Sequence, residues 1–143
     1  MEFDKDFLDK LFEQATENPR LRQGFDLRTS FADTSQRMLN ALLPRTEVPI
    51  HRHEKTAETV ICLVGKLEEI IYEEVNEYVH EATSCCDDVI RQKSFKEVSR
   101  QILSPAEGKF GIQIPAGAWH TINVIEPSVI FEAKDGAYKR GDR

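Results

Sequence analysis

The sequence has little cysteine and no long apolar run, and both shortages limit the kind of protein it can be. Its 143 residues include three cysteines, an odd number that does not make a disulfide framework. No stretch approaches the roughly 18 consecutive apolar residues that a membrane-spanning helix requires. The first residues are charged and lack the apolar segment of a secretory signal. We therefore expect a cytoplasmic protein that does not bind membranes.

Positive charge is also scarce in the middle of the chain. Between Leu67 and Ile90 there are eight acidic residues and no lysine or arginine, and the formal net charge of the whole chain is −6. Such a surface repels phosphate backbones, so nucleic acid is not an expected partner.

The remaining composition is that of an ordinary globular protein. With 40% apolar and 31% charged residues, and without an internal repeat or linker, residues 1–143 are expected to form a single domain. An amphipathic helix is predicted at about 4–17, because apolar residues recur there at helical spacing and Asn18-Pro19 ends the pattern. Short apolar segments separated by turn residues follow, which predicts a mainly β fold, a small antiparallel barrel or sandwich at about 28–134 before a short C-terminal tail.

Three details of the β region lead to specific expectations. Residues 59–64 are almost all apolar, so we expect this strand to be covered on both faces. Gly65 is expected to form a tight hairpin turn, with 66–72 returning as the partner strand. Residues 73–93 show no sustained period and are expected to form a long excursion that leaves and rejoins a hairpin.

The four histidines carry the chemical signal of the sequence. His51 and His53 are two residues apart, so in a strand their rings point to the same face, and Glu58 follows closely. Neutral imidazoles with a carboxylate suit a divalent transition metal, although a His-x-His pair alone is often a surface accident. His120 follows a Pro-x-Gly turn and begins another strand, which supplies the second half of a site. The fourth, His80, lies in the acidic excursion and is interpreted as solvent-exposed.

These segments resemble the two conserved motifs of the cupin superfamily. The first motif is matched by His51-x-His53-x4-Glu58-x6-Gly65, and the second by Pro115-x-Gly117-x2-His120 followed by Asn123. The second match departs from the motif in two places. Lys109 occupies the position of the motif's leading glycine, and the asparagine, Asn123, comes one residue early. The resemblance implies a cupin (double-stranded β-helix) barrel with an N-terminal α-helix. It also implies one metal ion, Fe, Mn, Ni or Zn, bound by His51, His53, Glu58 and His120.

Within the superfamily, the chain resembles the WbuC-type cupin metalloproteins, which are associated with polysaccharide gene clusters. The supporting segments are 18–20, 36–42, 114–120 and 131–138, whereas the 73–93 excursion is longer than expected for that type. The resemblance implies a small isomerase or epimerase acting on a sugar or related polyhydroxy or keto compound. An Fe(II) dioxygenase and a non-catalytic metal-dependent binding protein are the alternatives.

Four further residues are candidates for contact with a small-molecule ligand, possibly a carbohydrate by the same resemblance. They are Arg37, Asn40, Lys134 and Tyr138. Arg37 and Asn40 can equally serve in hydrogen bonds at the barrel rim, and residues such as Lys134 and Tyr138 are more often packing and surface residues. Arg52 and Trp119 alternate with the histidines and are expected to point away from a metal. A homodimer is expected, through the N-terminal segment or the apolar strand at 59–64, unless the helix covers that face within one chain.

Overall fold

A computed structural model describes the backbone of residues 1–81 and 88–136 and the side chains of residues 1–78 and 92–136. The described chain is mainly β, as predicted, with one helix, a short 3-10 turn at Pro105–Glu107 and six antiparallel strands. The elements are α1 (Lys5–Glu17), β1 (Arg22–Asp26), β2 (Ser35–Leu42), β3 (Glu58–Glu81), β4 (Asp88–Leu103), β5 (Gly111–Ile114) and β6 (Trp119–Asp135). The sheet begins at β1, earlier than the boundary near residue 28 that the sequence suggested.

Helix α1 forms where the apolar period predicted it. The Asp4 side chain caps the helix by accepting a hydrogen bond from the backbone N–H of Phe7 at 3.0 Å. Leu11 and Ala15 are buried against the outer face of β2 and β6, in a cluster with Leu39, Ala41 and Val129. Within the described residues, no helix is long and apolar enough to cross a membrane.

Two long strands bend together and give the sheet its shape. The strand order is β1-β2-β6-β3-β4, and β5 pairs with the beginning of β3. The first part of β3 pairs with β5 and the end of β6, whereas its later part pairs with the beginning of β6 and with β4. The register between β3 and β6 shifts at residues 62–67, where both strands turn the corner.

Gly65 lies at this corner, so the prediction of a hairpin turn there was wrong. Residues 58–64 and 66–72 are successive parts of the bent strand β3, not partners of each other. The backbone of Gly65 has φ +96°, and a Cβ atom there would lie 2.2 Å from the carbonyl oxygen of Pro127. Glycine is therefore needed for the close approach of the two corners rather than for a reversal of the chain.

The two halves of the sheet share one interior core. Its buried residues come from both sides of the corner and are Leu42, Val60, Cys62, Leu67, Leu103, Ile114, Val124 and Ile130. On β3 before the corner, Val60 and Cys62 point into this core, but Ile61, Leu63 and Val64 are 39%, 40% and 41% exposed. The expectation that 59–64 is covered on both faces is thus wrong for the single chain, because α1 lies over β2 and β6 and leaves this part of β3 open.

The acidic excursion is more regular than the sequence suggested. Strands β3 and β4 pair from Leu67–Leu103 to Glu81–Asp88, with one register shift between Ile71 and Tyr72 that skips Val98. Strand β6 begins at Trp119, opposite Tyr72, so residues 73–81 and 88–96 form a two-stranded arm that extends past it. Cys85, Cys86 and Tyr138 lie outside the described residues.

Candidate metal centre

His51 and His120 face each other across a short antiparallel bridge. The backbone N–H of His51 donates to the carbonyl of His120 at 3.0 Å, and that of His120 donates to the carbonyl of His51 at 2.8 Å. Residues that exchange both hydrogen bonds are direct neighbours, and their side chains lie on one face. His53 follows two residues later, and its carbonyl accepts a hydrogen bond from Gly117 at 2.7 Å. The Pro-x-Gly turn therefore fastens the two histidine segments together.

Backbone carbonyls orient two of the three rings. Nδ1 of His51 lies 2.9 Å from the carbonyl oxygen of Pro49, and Nδ1 of His120 lies 2.9 Å from that of Ala118. Because a carbonyl oxygen only accepts hydrogen bonds, each Nδ1 must carry the proton. In the neutral ring, Nε2 then presents its lone pair, which is the arrangement found in metal-binding histidines.

The three rings converge closely enough to share an ion. One ring nitrogen of each of His51, His53 and His120 lies within 4.8 Å of the others. Two nitrogens that each bind a zinc-like ion at about 2.1 Å are at most about 4.2 Å apart. Small ring rotations are enough to close the remaining gap, so the donor set fits a divalent transition metal.

Glu58, the first residue of β3, lies beside this group. Its side chain is 1% exposed, and its Oε2 lies 2.8 Å from Nε2 of His53. A carboxylate in this position can reach the same ion or hold the His53 ring. The structure thus brings three of the four predicted ligands, the imidazoles, to one place. Glu58 contacts His53 but is not part of the group of donor atoms within 4.8 Å of one another.

Two buried carboxylates of the inner face were missed by sequence reasoning. Glu69 and Glu132 are both 2% exposed. Glu69 lies two residues before Ile71, the residue that pairs with His120, so it shares the inner face with His120. An ion bound at the histidines would therefore lie on the same face of the sheet as one buried carboxylate, Glu69.

The four candidates for ligand contact do not lie together. Asn40 is buried on the inner face and donates from Nδ2 to Oε2 of Glu132 at 3.0 Å. Lys134 pairs with Glu58 in the sheet, so it is on the same face, and its Nζ donates to the carbonyl of Gly136 at 3.0 Å. Arg37 lies on the other face of β2, where its guanidinium is 2.6 Å from Asp33. The fourth, Tyr138, is outside the described residues.

The outward direction of Arg52 and Trp119 agrees with the strand alternation. The guanidinium of Arg52 lies over the Trp119 ring, 4.6 Å from its centre, and its Nη2 is 3.0 Å from Glu54. Neither residue belongs to the converging group of imidazoles.

More than half of the chain matches a known family model. Residues 3–83, which are 81 of the 143, match the model of a domain family of unknown function, DUF6016. The chain belongs to this family. No match was found among curated proteins.

Solved structures of similar shape identify the DUF6016 chain as a cupin fold. TT1209 from Thermus thermophilus is 18% identical with a TM-score of 0.59, over 95% of this chain and 98% of that one. KdgF from Halomonas sp. is 13% identical with a TM-score of 0.55, over 82% and 81%. Rru_A2000 from Rhodospirillum rubrum, a cupin-2 domain, is 12% identical with a TM-score of 0.50, over 83% and 62%. At these identities the likeness concerns the fold.

Proposed function

We propose that this protein is a metal-dependent cupin enzyme of the isomerase or epimerase type. The observation that carries the proposal is the convergence of His51, His53 and His120, with Glu58 against His53. Three imidazoles and one carboxylate leave positions open on an ion, which is what separates a catalytic centre from a closed structural one. An ion held there would polarise a carbonyl group or be chelated by two adjacent oxygens of a substrate.

The substrate proposed is a sugar or a related polyhydroxy or keto compound. The inner face near the histidines carries hydrogen-bonding groups, among them Glu69 and Lys134, rather than a purely apolar lining. Such groups suit a ligand with several hydroxyls, because buried polar groups require partners. The resemblance of segments 18–20, 36–42 and 114–120 to WbuC-type cupins supports a place in polysaccharide metabolism.

The first experiment establishes the ion. Protein purified without oxygen and without chelators is analysed for metals, beside the variants His51→Ala, His53→Ala and His120→Ala. About one equivalent of metal is expected in the parent protein, and strongly reduced content in each variant. His80→Ala is the matched control, because it removes the fourth histidine and should leave the metal content unchanged. Equal metal content in all four variants would exclude the histidine site.

The second experiment separates isomerase from dioxygenase and binder. The metal-loaded protein is incubated in D₂O with panels of sugar phosphates and nucleotide sugars, and deuterium incorporation at carbon is followed by NMR. An isomerase or epimerase that works by proton transfer introduces deuterium beside the carbonyl. Oxygen consumption with an iron-loaded protein would instead support a dioxygenase. Tight binding without either signal would support a non-catalytic binding protein.

A further inference from the structure

A second, polar pocket lies away from the histidines, between the end of α1 and strands β1 and β2. It has a volume of about 200 Å³ and is lined by Asn18, Arg20, Arg22, Gln23, Gly24, Met38 and Asn40. None of these residues is His51, His53, Glu58 or His120, so the pocket and the candidate metal centre have different linings.

The pocket presents hydrogen-bond donors and positive charge. The Arg20 guanidinium makes no hydrogen bond or ion pair with any residue that the structure describes. Arg22 is held in place because its Nη1 donates to the carbonyl of Glu47 at 2.8 Å. Oδ1 of Asn18 accepts from the backbone N–H of Arg20 at 2.9 Å, which leaves its Nδ2 as a donor. Arg20 and Arg22 thus place two positive charges at this pocket in a chain whose formal net charge is −6.

A buried carboxylate, Glu132, contacts one residue of the pocket lining. Glu132 is 2% exposed and accepts a hydrogen bond from the Asn40 amide, which lines the pocket above it. The charged residues of the pocket lining are Arg20 and Arg22, and both are positive. Gly24 keeps its wall open, since a Cβ atom there would lie 2.9 Å from Oδ1 of Asn40 and 3.1 Å from Cε of Met38.

We propose that this pocket binds the oxyanion of a small molecule, a phosphate or carboxylate group, independently of the metal centre. Guanidinium groups pair with such oxyanions through two parallel hydrogen bonds, and charge-assisted bonds of this kind are the strongest available to a protein. The volume accommodates an anionic group with a few further atoms and not a polymer. This binding does not depend on the isomerase proposal, because none of the lining residues belongs to the histidine centre.

The test uses the full chain, isotopically labelled, with inorganic phosphate and acetate as separate probes in NMR titrations. Saturable shifts are expected at the amides of residues 18–24, and the probe that binds more tightly shows whether phosphate or carboxylate is preferred. Arg20→Gln should weaken binding about tenfold or more, as the loss of a charged hydrogen bond does. Lys10→Gln, which removes one positive charge from the exposed side of α1, should leave the affinity unchanged. Folding of each variant is checked by its amide spectrum.

A second variant distinguishes anion binding in this pocket from anion binding at the histidines. His51→Ala should bind phosphate or acetate at residues 18–24 as tightly as the parent protein does. Three results would overturn the proposal: no saturable shift at 18–24 with either probe, equal affinity in Arg20→Gln and Lys10→Gln, or a loss of anion binding in His51→Ala.

Discussion

The Arg52 guanidinium lies 4.6 Å from the centre of the Trp119 ring, on the side of the strands opposite to the histidines. Arg52 stands between His51 and His53, and Trp119 immediately precedes His120. The contact therefore joins the two histidine segments from behind. The Phe95 ring of β4 lies 5.0 Å from the same indole and extends the contact to a third strand.

Removing this contact should weaken metal binding without removing a ligand. A cation over an aromatic ring contributes roughly 0.5–2 kcal/mol, so Trp119→Ala should raise the metal Kd by about twofold to thirtyfold. Trp119→Phe keeps a ring beneath the guanidinium and should recover most of the affinity. The measurement is a competitive metal titration of both variants and the parent. Equal affinity in Trp119→Ala would show that the histidine segments need no support from this side.

The charge of Glu58 should matter to the ion more than its shape does. Glu58→Gln preserves the size of the side chain but removes the negative charge that lies 2.8 Å from His53. We expect metal affinity to fall by about tenfold to a hundredfold, the range found for ligands and their direct partners. Glu54→Gln is the control, because Glu54 is exposed and bonds to Arg52. The same affinity in both variants would remove Glu58 from the metal centre.

The sequence was sufficient to predict those features that depend on local pattern. Helix α1 follows from the spacing of its apolar residues and the Asp4 cap. The approach of His51 to His120 was predictable because each lies in a strand-forming segment fixed by a nearby turn. Predicting these features requires only the spacing of apolar residues, the alternation of side chains along a strand, and the resemblance of the histidine spacing to a known family.

The rest depends on how two distant strands bend together. Gly65 was predicted to form a hairpin turn, because the residues around it do not show that Pro127 lies against it. The burial of Glu132 and Glu69 follows from the register between β3 and β6 before and after the shift, which no local pattern reveals. The pairing of residues 73–81 with 88–96 could not be predicted either. The apolar residues of these two segments show only a weak period, and the two segments pair with each other.

Gly65 should be far more sensitive to substitution by alanine than Gly108. Both have positive φ, +96° and +75°, but a Cβ at Gly65 would meet Pro127 and Ser128, whereas a Cβ at Gly108 meets nothing within 4 Å. We expect Gly108→Ala to cost about 1 kcal/mol for the backbone alone and Gly65→Ala about 3 kcal/mol or more. Urea unfolding of the metal-free proteins measures both. A difference below the error of the measurement would mean that the corner relaxes freely.

The Cys62 thiol should make stability depend on pH in the alkaline range. Burial raises its pKa from 9.0 to about 11. Between these values the unfolded chain has lost the thiol proton and the folded chain has kept it, so the free energy of unfolding falls as pH rises from 9 towards 11. The slope is at most about 1.4 kcal/mol per pH unit, and this contribution is constant below pH 9.

Denaturant unfolding between pH 8 and pH 10.5 tests this, in a background where Cys85 and Cys86 are replaced by serine. Cys62→Ala in the same background supplies the control, since it should lose this part of the slope. Identical slopes with and without the Cys62 thiol would contradict the prediction.

The open outer face of β3 should make the protein a homodimer. Ile61, Leu63 and Val64 are each about 40% exposed and lie beside the apolar face that α1 covers. A second copy would bury these side chains, and apolar surface removed from water contributes about 25 cal/mol per Å². Leu63→Glu should therefore shift the protein to a monomer in light scattering. Phe31→Glu is the matched control, because Phe31 is 97% exposed and lies outside β3. A parent protein that is already monomeric, or equal dissociation by both variants, would place the contact elsewhere or exclude it.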